Sequence, residues 1–236
     1  MREYVRPEIE DRVFVDASGR VIDYGNRWEE YGGTPPHDSY SVASHTERFA
    51  PLPLIAEALI AHLIQTYDVI AEEGAAVALD VERSPEPDEI VRAVRLTPAR
   101  DTAAPLTVVF TRYPGVMVRA GELYHAAFPH CGCDACDEAW EPLAEQMESD
   151  VLNVVAGDFR EFVSAPRRAR PGHEQGTAFG DDTAPTIGYF LGTEDRGGGQ
   201  EWEASALEPE RLAAVTARLA ALAAAGPGGH WQPWPR

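Results

Sequence analysis

The only cysteines of the chain, Cys131, Cys133 and Cys136, lie within six residues of one another. Zinc prefers four ligands of the thiolate or imidazole type, and a tight turn can supply several of them from one short segment. Gly132 removes a side chain where such a backbone must fold close to an ion. An odd, clustered number of cysteines also argues against a disulfide framework. The spacing therefore predicts a metal site, with zinc favoured over an iron–sulfur cluster, which would need four cysteines.

Three sulfurs leave one zinc ligand to be supplied by another side chain. His130 is the predicted fourth ligand because it adjoins Cys131, although its ring must swing round from the opposite side of the chain. Other candidates depend on the fold, and they are His37, His45, His125, His173, His230, Asp134 and Asp137. The ligand set predicted from the sequence is Cys131, Cys133, Cys136 and His130, which would hold one zinc ion in a structural role.

A redox interpretation of the same residues remains open. Cys133 and Cys136 are separated by two residues and precede a predicted helix, whose N-terminal dipole would stabilise a thiolate at Cys136. Thioredoxin-type oxidoreductases use this arrangement. However, Cys131 would then be a superfluous third thiol, and that motif normally occupies a βαβ unit, which is not predicted here. The three thiols can also be simple structural cysteines that bind nothing.

Two long amphipathic helices and about five strands are predicted to position the cysteines. Apolar residues recur at three- and four-residue steps over residues 53–71 and again over residues 137–163. Strand patterns lie at residues 76–82, 90–96, 106–112 and 116–124, and the short links between them are typical of an antiparallel meander. The sequence therefore predicts an α+β fold in which an antiparallel sheet is covered by the two long helices.

The remaining segments are predicted to be a C-terminal helix and loop-rich regions of a single domain, residues 1–236. Hairpins are predicted for residues 12–24 and 186–204, a short helical turn after Ser44, and a last helix over residues 209–225. Residues 165–185 lack apolar periodicity and predict a mobile loop. Trp231 and Trp234 are expected to pack back on the domain, although a partner could also bind them.

The net charge of −19, from 39 acidic against 20 basic residues, limits the possible partners. Such a charge repels phosphate backbones, so neither nucleic acid nor an anionic membrane is an expected partner. No run of about 18 apolar residues and no secretory signal are recognised, which predicts a cytoplasmic protein. All 20 basic residues are arginine, so a phosphate loop of the GxxxxGK type is excluded.

Five short runs stand out along the chain: YSV (40–42), ERFAPL (47–52), ALIAHL (58–63), YDV (67–69) and CGCDACDE (131–138). Together they resemble a family of uncharacterised proteins from high-GC actinobacteria, and CGCDACDE is the most specific part of the match. The resemblance covers the chain to about residue 163 and the Trp-Pro-rich tail. That family has no assigned activity, so the resemblance implies lineage and no mechanism.

These observations favour a zinc-stabilised interaction or regulatory protein whose partner, a protein or a small molecule, is unknown. One alternative is a zinc-dependent enzyme that uses the same ion with an open coordination position. Another is a thiol–disulfide oxidoreductase that uses Cys133 and Cys136. No GxSxG or HExxH motif is present, which favours the non-catalytic interpretation.

Overall fold

Residues 69–128 contain a five-stranded antiparallel sheet, and residues 159–203 contribute a second sheet of three strands. The computed structural model describes residues 3–74, 76–79, 85–165, 184–193, 195–225 and 230–236. Together with four α-helices, these sheets give the predicted α+β fold. The elements are α1 (Pro51–Thr66), β1 (Val69–Glu73), α2 (Ala76–Leu79), β2 (Ile90–Pro98), β3 (Leu106–Thr111), β4 (Val116–Ala120), β5 (Tyr124–Phe128), α3 (Trp140–Ala156), β6 (Phe159–Ser164), β7 (Thr186–Thr193), β8 (Arg196–Glu203) and α4 (Pro209–Ala225).

The first sheet is the predicted antiparallel meander, with its strands in the order β1-β2-β3-β4-β5. The links from β2 to β5 are too short for a crossover helix, so each of these strands pairs with the next. Alternate residues of β4, Val116, Val118 and Ala120, are buried in the core. The single strand predicted over residues 116–124 is wrong, because the chain turns at Gly121 and β5 pairs back on β4.

The first strand lies earlier than the sequence predicts. Helix α1 ends before Tyr67, which is already extended, and residues 69–73 pair with β2 instead of continuing the helix. The β-branched residues at 69 and 70 favour a strand, although their spacing also fits the helix predicted to residue 71. The strand predicted over residues 76–82 is wrong: Ala76–Leu79 forms α2, and residues 80–82 lie outside the described part.

The long helix predicted over residues 137–163 consists of two elements. Helix α3 begins at Trp140 and ends at Gly157, whose left-handed conformation (φ 82°) closes the last turn. Phe159 and Phe162 then belong to strand β6, although their three-residue spacing also fits a helix. This glycine therefore converts the end of an apparently continuous helical pattern into a strand.

Strand β6 belongs to the second sheet, whose order is β6-β7-β8. The hairpin predicted over residues 186–204 is confirmed as β7 and β8, which pair from Thr186↔Glu203 to Thr193↔Arg196. Strand β6 pairs with the other side of β7. The sequence does not predict this three-stranded sheet, because it assigns β6 to the preceding helix.

Helices α1 and α3 pack against each other and share one apolar core with both sheets. Helix α1 contacts β1 and β4, whereas α3 contacts β5, β6 and β7. The predicted cover of two long helices is confirmed, with the difference that α3 also covers the second sheet. Helix α4 lies at the predicted residues and contacts β6.

One helical stretch in the described chain, Thr46–Thr66, is long and apolar enough to span a membrane by length and composition alone, with a mean hydropathy of 1.4. It consists of a 3-10 turn (Thr46–Phe49) and α1. Ile55, Leu59 and Leu63 are among the α1 residues buried in the core. Packing in the core therefore accounts for part of the apolar composition of this stretch, whereas Leu54 and Ile64 are exposed.

Three further predictions concern the loops. The hairpin over residues 12–24 is reduced to a single bridge between Val15 and Val21. The helical turn predicted after Ser44 is confirmed, but the Ser44 hydroxyl donates to Asp134 and caps no helix. The predicted mobile loop, residues 165–185, lies outside the described residues except at its ends.

The C-terminal tail packs on the core, as predicted. Trp231 and Trp234 are 0% and 3% exposed. The indole N–H of Trp234 donates to the carbonyl of Ala104 at 2.9 Å, and its backbone N–H donates to the carbonyl of Val155 at 3.0 Å. The tail therefore contributes both apolar surface and hydrogen bonds to the fold.

Replacing Trp234 by phenylalanine should lower the free energy of unfolding by about 1–2 kcal/mol. The substitution keeps most of the apolar ring but leaves the Ala104 carbonyl without its donor. Urea denaturation monitored by circular dichroism measures the change. Trp202→Phe is the matched control, because Trp202 is only half-buried and its indole N–H has no hydrogen-bond acceptor among the described residues. Equal destabilisation by the two variants would contradict this role of the tail.

A buried carboxylate, Glu161 of β6, joins the two sheets to the tail. Its oxygens accept the backbone N–H groups of Glu122 and Leu123, in the turn between β4 and β5, and of Tyr124, at the start of β5. They also accept the indole N–H of Trp231 at 2.8 Å. Burial raises the pKa of Glu161 to about 7, against the opposing effect of these donors.

Candidate metal centre

The three cysteine sulfurs lie together at the surface, in the turn between β5 and α3. The Sγ atom of Cys133 lies 3.3 Å from that of Cys131 and 3.5 Å from that of Cys136, and all three lie within 4.8 Å of one another. Cys131 and Cys136 are exposed, and Cys133 is half-buried, so an ion can reach the sulfurs from solvent. Among the described residues, these three side chains form a group that could hold a metal ion.

The turn makes the three thiols unequal in acidity. The backbone N–H of Cys136 and the thiol of Cys131 donate to the sulfur of Cys133, which lowers the pKa of Cys133 to about 7. Hydrogen bonds to the sulfurs of Cys131 and Cys133 raise the pKa of Cys136 to about 12. The predicted helix-dipole effect at Cys136 is wrong, since α3 begins only at Trp140. Without a metal, Cys133 is therefore the most acidic of the sulfurs whose pKa is shifted.

Both aspartates of the turn are buried and bonded to an N-terminal strap, defined as residues 24–48. Asp134 accepts the backbone N–H of Ser44 at 3.0 Å and lies 3.6 Å from the guanidinium of Arg27. Asp137 accepts the backbone N–H of Arg27 at 2.8 Å. The compact group of possible metal ligands contains the three sulfurs and neither carboxylate. In this structure, Asp134 and Asp137 therefore attach the turn to the strap and do not complete a zinc shell.

Arg48, which is 3% exposed, holds the backbone of the turn from inside the fold. Its Nη2 donates to the carbonyl of Gly132 at 3.2 Å, and its Nε donates to the carbonyl of Glu138 at 3.3 Å. The guanidinium lies 4.3 Å from the ring centre of Tyr24, in cation–π geometry. One buried cation therefore fixes both ends of the cysteine turn.

Gly132 lies directly against a protein side chain. A Cβ atom at this position would overlap the side chain of Tyr113, whose hydroxyl donates to the Gly132 carbonyl at 3.3 Å. The sequence suggests instead that Gly132 makes room for an ion. The structure thus gives a different physical reason for a glycine at this position. In both interpretations, the absence of a side chain allows a tight turn.

His130, the predicted fourth ligand, lies beside the sulfurs in sequence and is bonded to Glu138. Its Nδ1 lies 3.0 Å from Oε1 of Glu138, and Oε2 of the same carboxylate accepts the backbone N–H of Cys131 at 2.9 Å. Glu138 therefore links the imidazole to the first cysteine and leaves Nε2 as the other ring nitrogen. The compact group contains the three sulfurs and not His130, so its role as a ligand stays a prediction.

The other candidate histidines lie elsewhere in the described chain. They are His37 in an exposed 3-10 turn, His45 with its Nδ1 3.5 Å from Oε1 of Glu47, His125 on β5 beside a cleft, and His230 before the buried tail. His173 lies outside the described residues. Among the described residues, the structure therefore brings together the three predicted cysteines but not His37, His45, His125 or His230.

Sequence reasoning misses several residues that hold this site, among them Arg48 and Glu138. Glu138 could be suspected, because it is the nearest glutamate after the last cysteine and can reach back to the start of the turn. Arg48 gives no such signal, since 84 residues separate it from the Gly132 carbonyl that it contacts.

Comparison with known proteins gives one match. A family of unknown function (DUF6226) matches residues 10–236, which is almost the whole chain. Neither the curated proteins nor the solved structures give a match.

Proposed function

Because the chain belongs to this family of unknown function, we propose a function from the site itself: the turn at residues 131–136 binds one zinc ion that stabilises the fold. The ion has a structural role in a protein that interacts with, or regulates, a partner. The turn connects β5 to α3, which covers both sheets, so an ion there would fix the direction of the main core helix.

The observation that carries this proposal is the convergence of three sulfurs. Zinc–sulfur bonds of about 2.3 Å at a tetrahedral angle place two sulfurs about 3.8 Å apart. The distances of 3.3 and 3.5 Å, and the 4.8 Å limit on all three pairs, bracket this separation. Because Arg48, Asp134 and Asp137 already hold the turn, the three sulfurs need little rearrangement for binding, whereas the ring of His130, which lies outside the compact group, would have to move.

His130 is the proposed fourth ligand, through its Nε2 atom. Metal-bound imidazoles commonly donate their other N–H to a carboxylate, which fixes the tautomer and the ring orientation. Glu138 stands in that position relative to Nδ1 of His130. A site closed in this way is typical of structural zinc, whereas a water in the fourth position would favour the zinc-dependent enzyme.

The proposal extends to compartment and partners. A reducing cytoplasm would keep the thiols available for a metal. The charge of −19 makes a protein or a small molecule a better partner than nucleic acid or an anionic membrane. The charge therefore predicts that the protein causes no electrophoretic shift of duplex DNA or RNA at low salt.

Cys133→Ser is expected to reduce zinc content and stability together. The parent protein, purified under reducing conditions, should contain about one zinc per chain, and the variant much less. Loss of the ion should lower the free energy of unfolding by about 3 kcal/mol, comparable to loss of a structural crosslink. Metal analysis and urea denaturation measure the two effects. Tyr40→Ser is the control, since Tyr40 lies on the nearby strap and is 57% exposed. A metal-free parent protein would overturn the proposal.

A thiol oxidoreductase is the second candidate, because the sulfurs of Cys133 and Cys136 lie 3.5 Å apart and the pKa of Cys133 is lowered. Cys131→Ser separates the two functions. It should weaken zinc binding as strongly as Cys133→Ser, whereas an oxidoreductase would retain a reversible disulfide between the other two cysteines. Thiol titration in glutathione buffers distinguishes these results.

A further inference from the structure

A cleft of about 780 Å³ opens between the two sheets. In the sequence, His130 lies between strand β5, which lines this cleft, and the cysteine turn. Strand β5, helix α3 and the β7–β8 hairpin form its walls. Its volume lies within the range of about 300–1,000 Å³ that is typical of small-molecule sites. The cleft shares one lining residue, His130, with the proposed zinc site, and neither the family match nor the zinc proposal assigns a role to its other residues.

The wall formed by α3 carries a carboxylate with no strong counter-charge. Asp150 accepts the hydroxyl of Tyr124 at 2.7 Å through Oδ2, which leaves Oδ1 without a hydrogen-bond donor among the described residues. No arginine in the described chain forms an ion pair with Asp150, although His130 lies near enough to act on it electrostatically. Burial raises the pKa of Asp150, which reflects partial loss of water around the carboxyl group.

The same cleft has aromatic walls. Tyr124 and Tyr189 line it from the two sheets, with their rings edge to face and their centres 5.1 Å apart; they are 2% and 9% exposed, so each presents only a small part of its ring to the cleft. Trp202 packs edge to face behind Tyr189 at 6.1 Å. Tyrosine rings beside a carboxylate are the combination that attracts an ammonium group and packs against its apolar part.

Gly198 opens the opposite wall of the cleft. It pairs with Leu191, next to the pair formed by Tyr189 and Gln200, so alternate residues of β7 and β8 present one face to the cleft. A Cβ atom at Gly198 would meet no atom within 4 Å. The glycine therefore leaves space that a larger side chain could fill without displacing the protein.

We propose that this cleft binds a small organic cation, with an ammonium group against Asp150 and an apolar portion against the rings of Tyr124 and Tyr189. The other charged side chains of the lining are Asp195 and Arg196, so carboxylates outnumber guanidinium groups there. The chain as a whole is strongly acidic, which adds a long-range attraction for cations. The cleft selects an amine over a neutral or anionic molecule of the same shape.

Three ligands of one shape test the charge selectivity: benzylamine, benzyl alcohol and benzoate. Heteronuclear NMR titration of the full chain at pH 7 should show benzylamine shifting the amides of Tyr189 and Gly198, with affinity about tenfold or more above that of benzyl alcohol. Benzoate should bind least. Binding of benzoate as tight as that of benzylamine, or no shift with benzylamine at its highest soluble concentration, would overturn the proposal.

Two variants test the location. Asp150→Asn keeps the shape of the side chain and should reduce benzylamine affinity about tenfold, whereas Glu72→Gln, a control at an exposed position of β1, should leave it unchanged. Gly198→Phe should block the cleft, and Gly198→Ala should not. Thermal melting confirms that each variant is folded. If Asp150→Asn and Glu72→Gln have equal effects, binding reflects the overall charge and the site does not exist.

Discussion

Glu161→Gln is expected to destabilise the protein by about 4–5 kcal/mol at pH 8, the largest effect that we predict for a single substitution. Four N–H groups converge on this carboxylate, three from the backbone at Glu122, Leu123 and Tyr124 and one from Trp231. Glutamine has one acceptor oxygen and places an NH2 group where the second oxygen was. Buried donors would then face a donor, and each unsatisfied group costs about 1–3 kcal/mol.

The effect of Glu161→Gln extends beyond its own hydrogen bonds. Glu161 lies on the second sheet, its backbone donors lie in the turn between β4 and β5 and at the start of β5 in the first sheet, and Trp231 lies in the tail. One substitution therefore weakens the contacts that join three parts of the fold distant in sequence. Burial raises the pKa of Glu161 to about 7, so at pH 8 the parent carboxyl is ionised and already carries its desolvation cost, and the expected loss at that pH is net of this cost.

Urea denaturation of the parent and the variant measures this difference directly. Glu72→Gln is the matched control, because it makes the same chemical change at an exposed position of edge strand β1 and should cost less than about 0.5 kcal/mol. A loss of less than about 1 kcal/mol in Glu161→Gln would show that water satisfies the four donors as well as the carboxylate does. The tryptophan fluorescence of the C-terminal tail should change in parallel with the stability, since the indole N–H of Trp231 loses its carboxylate acceptor.

The meander could be predicted from the sequence because its information is local. Strands β2, β3 and β4 are short apolar runs joined by turn residues, and short links leave antiparallel pairing as the only simple arrangement. Apolar periodicity does not distinguish a helix from a strand where the same spacing of residues fits both. Phe159 and Phe162 fit both a helix and a strand, and only the conformation of Gly157 decides between them.

The cysteine cluster could be predicted for the same reason, since all three thiols lie in one turn. The residues that hold the turn could not. Asp134 and Asp137 lie among cysteines, and sequence reasoning treats them as possible ligands, yet both bond to a strap about 90–110 residues away. Such pairings depend on the completed fold, because no local pattern specifies which distant backbone N–H group a carboxylate will accept.

Arg48→Met is the second substitution with a large expected effect, a loss of about 4 kcal/mol of stability together with a fall in zinc affinity of about tenfold or more. Methionine retains the apolar stem of the side chain but donates no hydrogen bond. The carbonyl of Glu138 would lose the Arg48 donor, that of Gly132 would keep only the Tyr113 hydroxyl, and Asp134 would lose a cation 4.0 Å away. Groups that orient metal ligands without touching the ion typically contribute tenfold to hundredfold to affinity.

The two readouts of Arg48→Met separate the fold from the proposed zinc site. Arg48→Lys should lose nearly as much as Arg48→Met, because an ammonium group cannot reproduce the forked guanidinium that reaches both carbonyls. Arg20→Met is the control, since the Arg20 side chain is 66% exposed and its ion pairs with Asp16 and Glu30 are each 3.8 Å long. Competition with a chromophoric chelator measures zinc affinity, and urea denaturation of the metal-free protein measures stability. If Arg48→Met destabilises the metal-free protein but binds zinc like the parent, the buried arginine supports the core alone, and the cysteines position themselves without it.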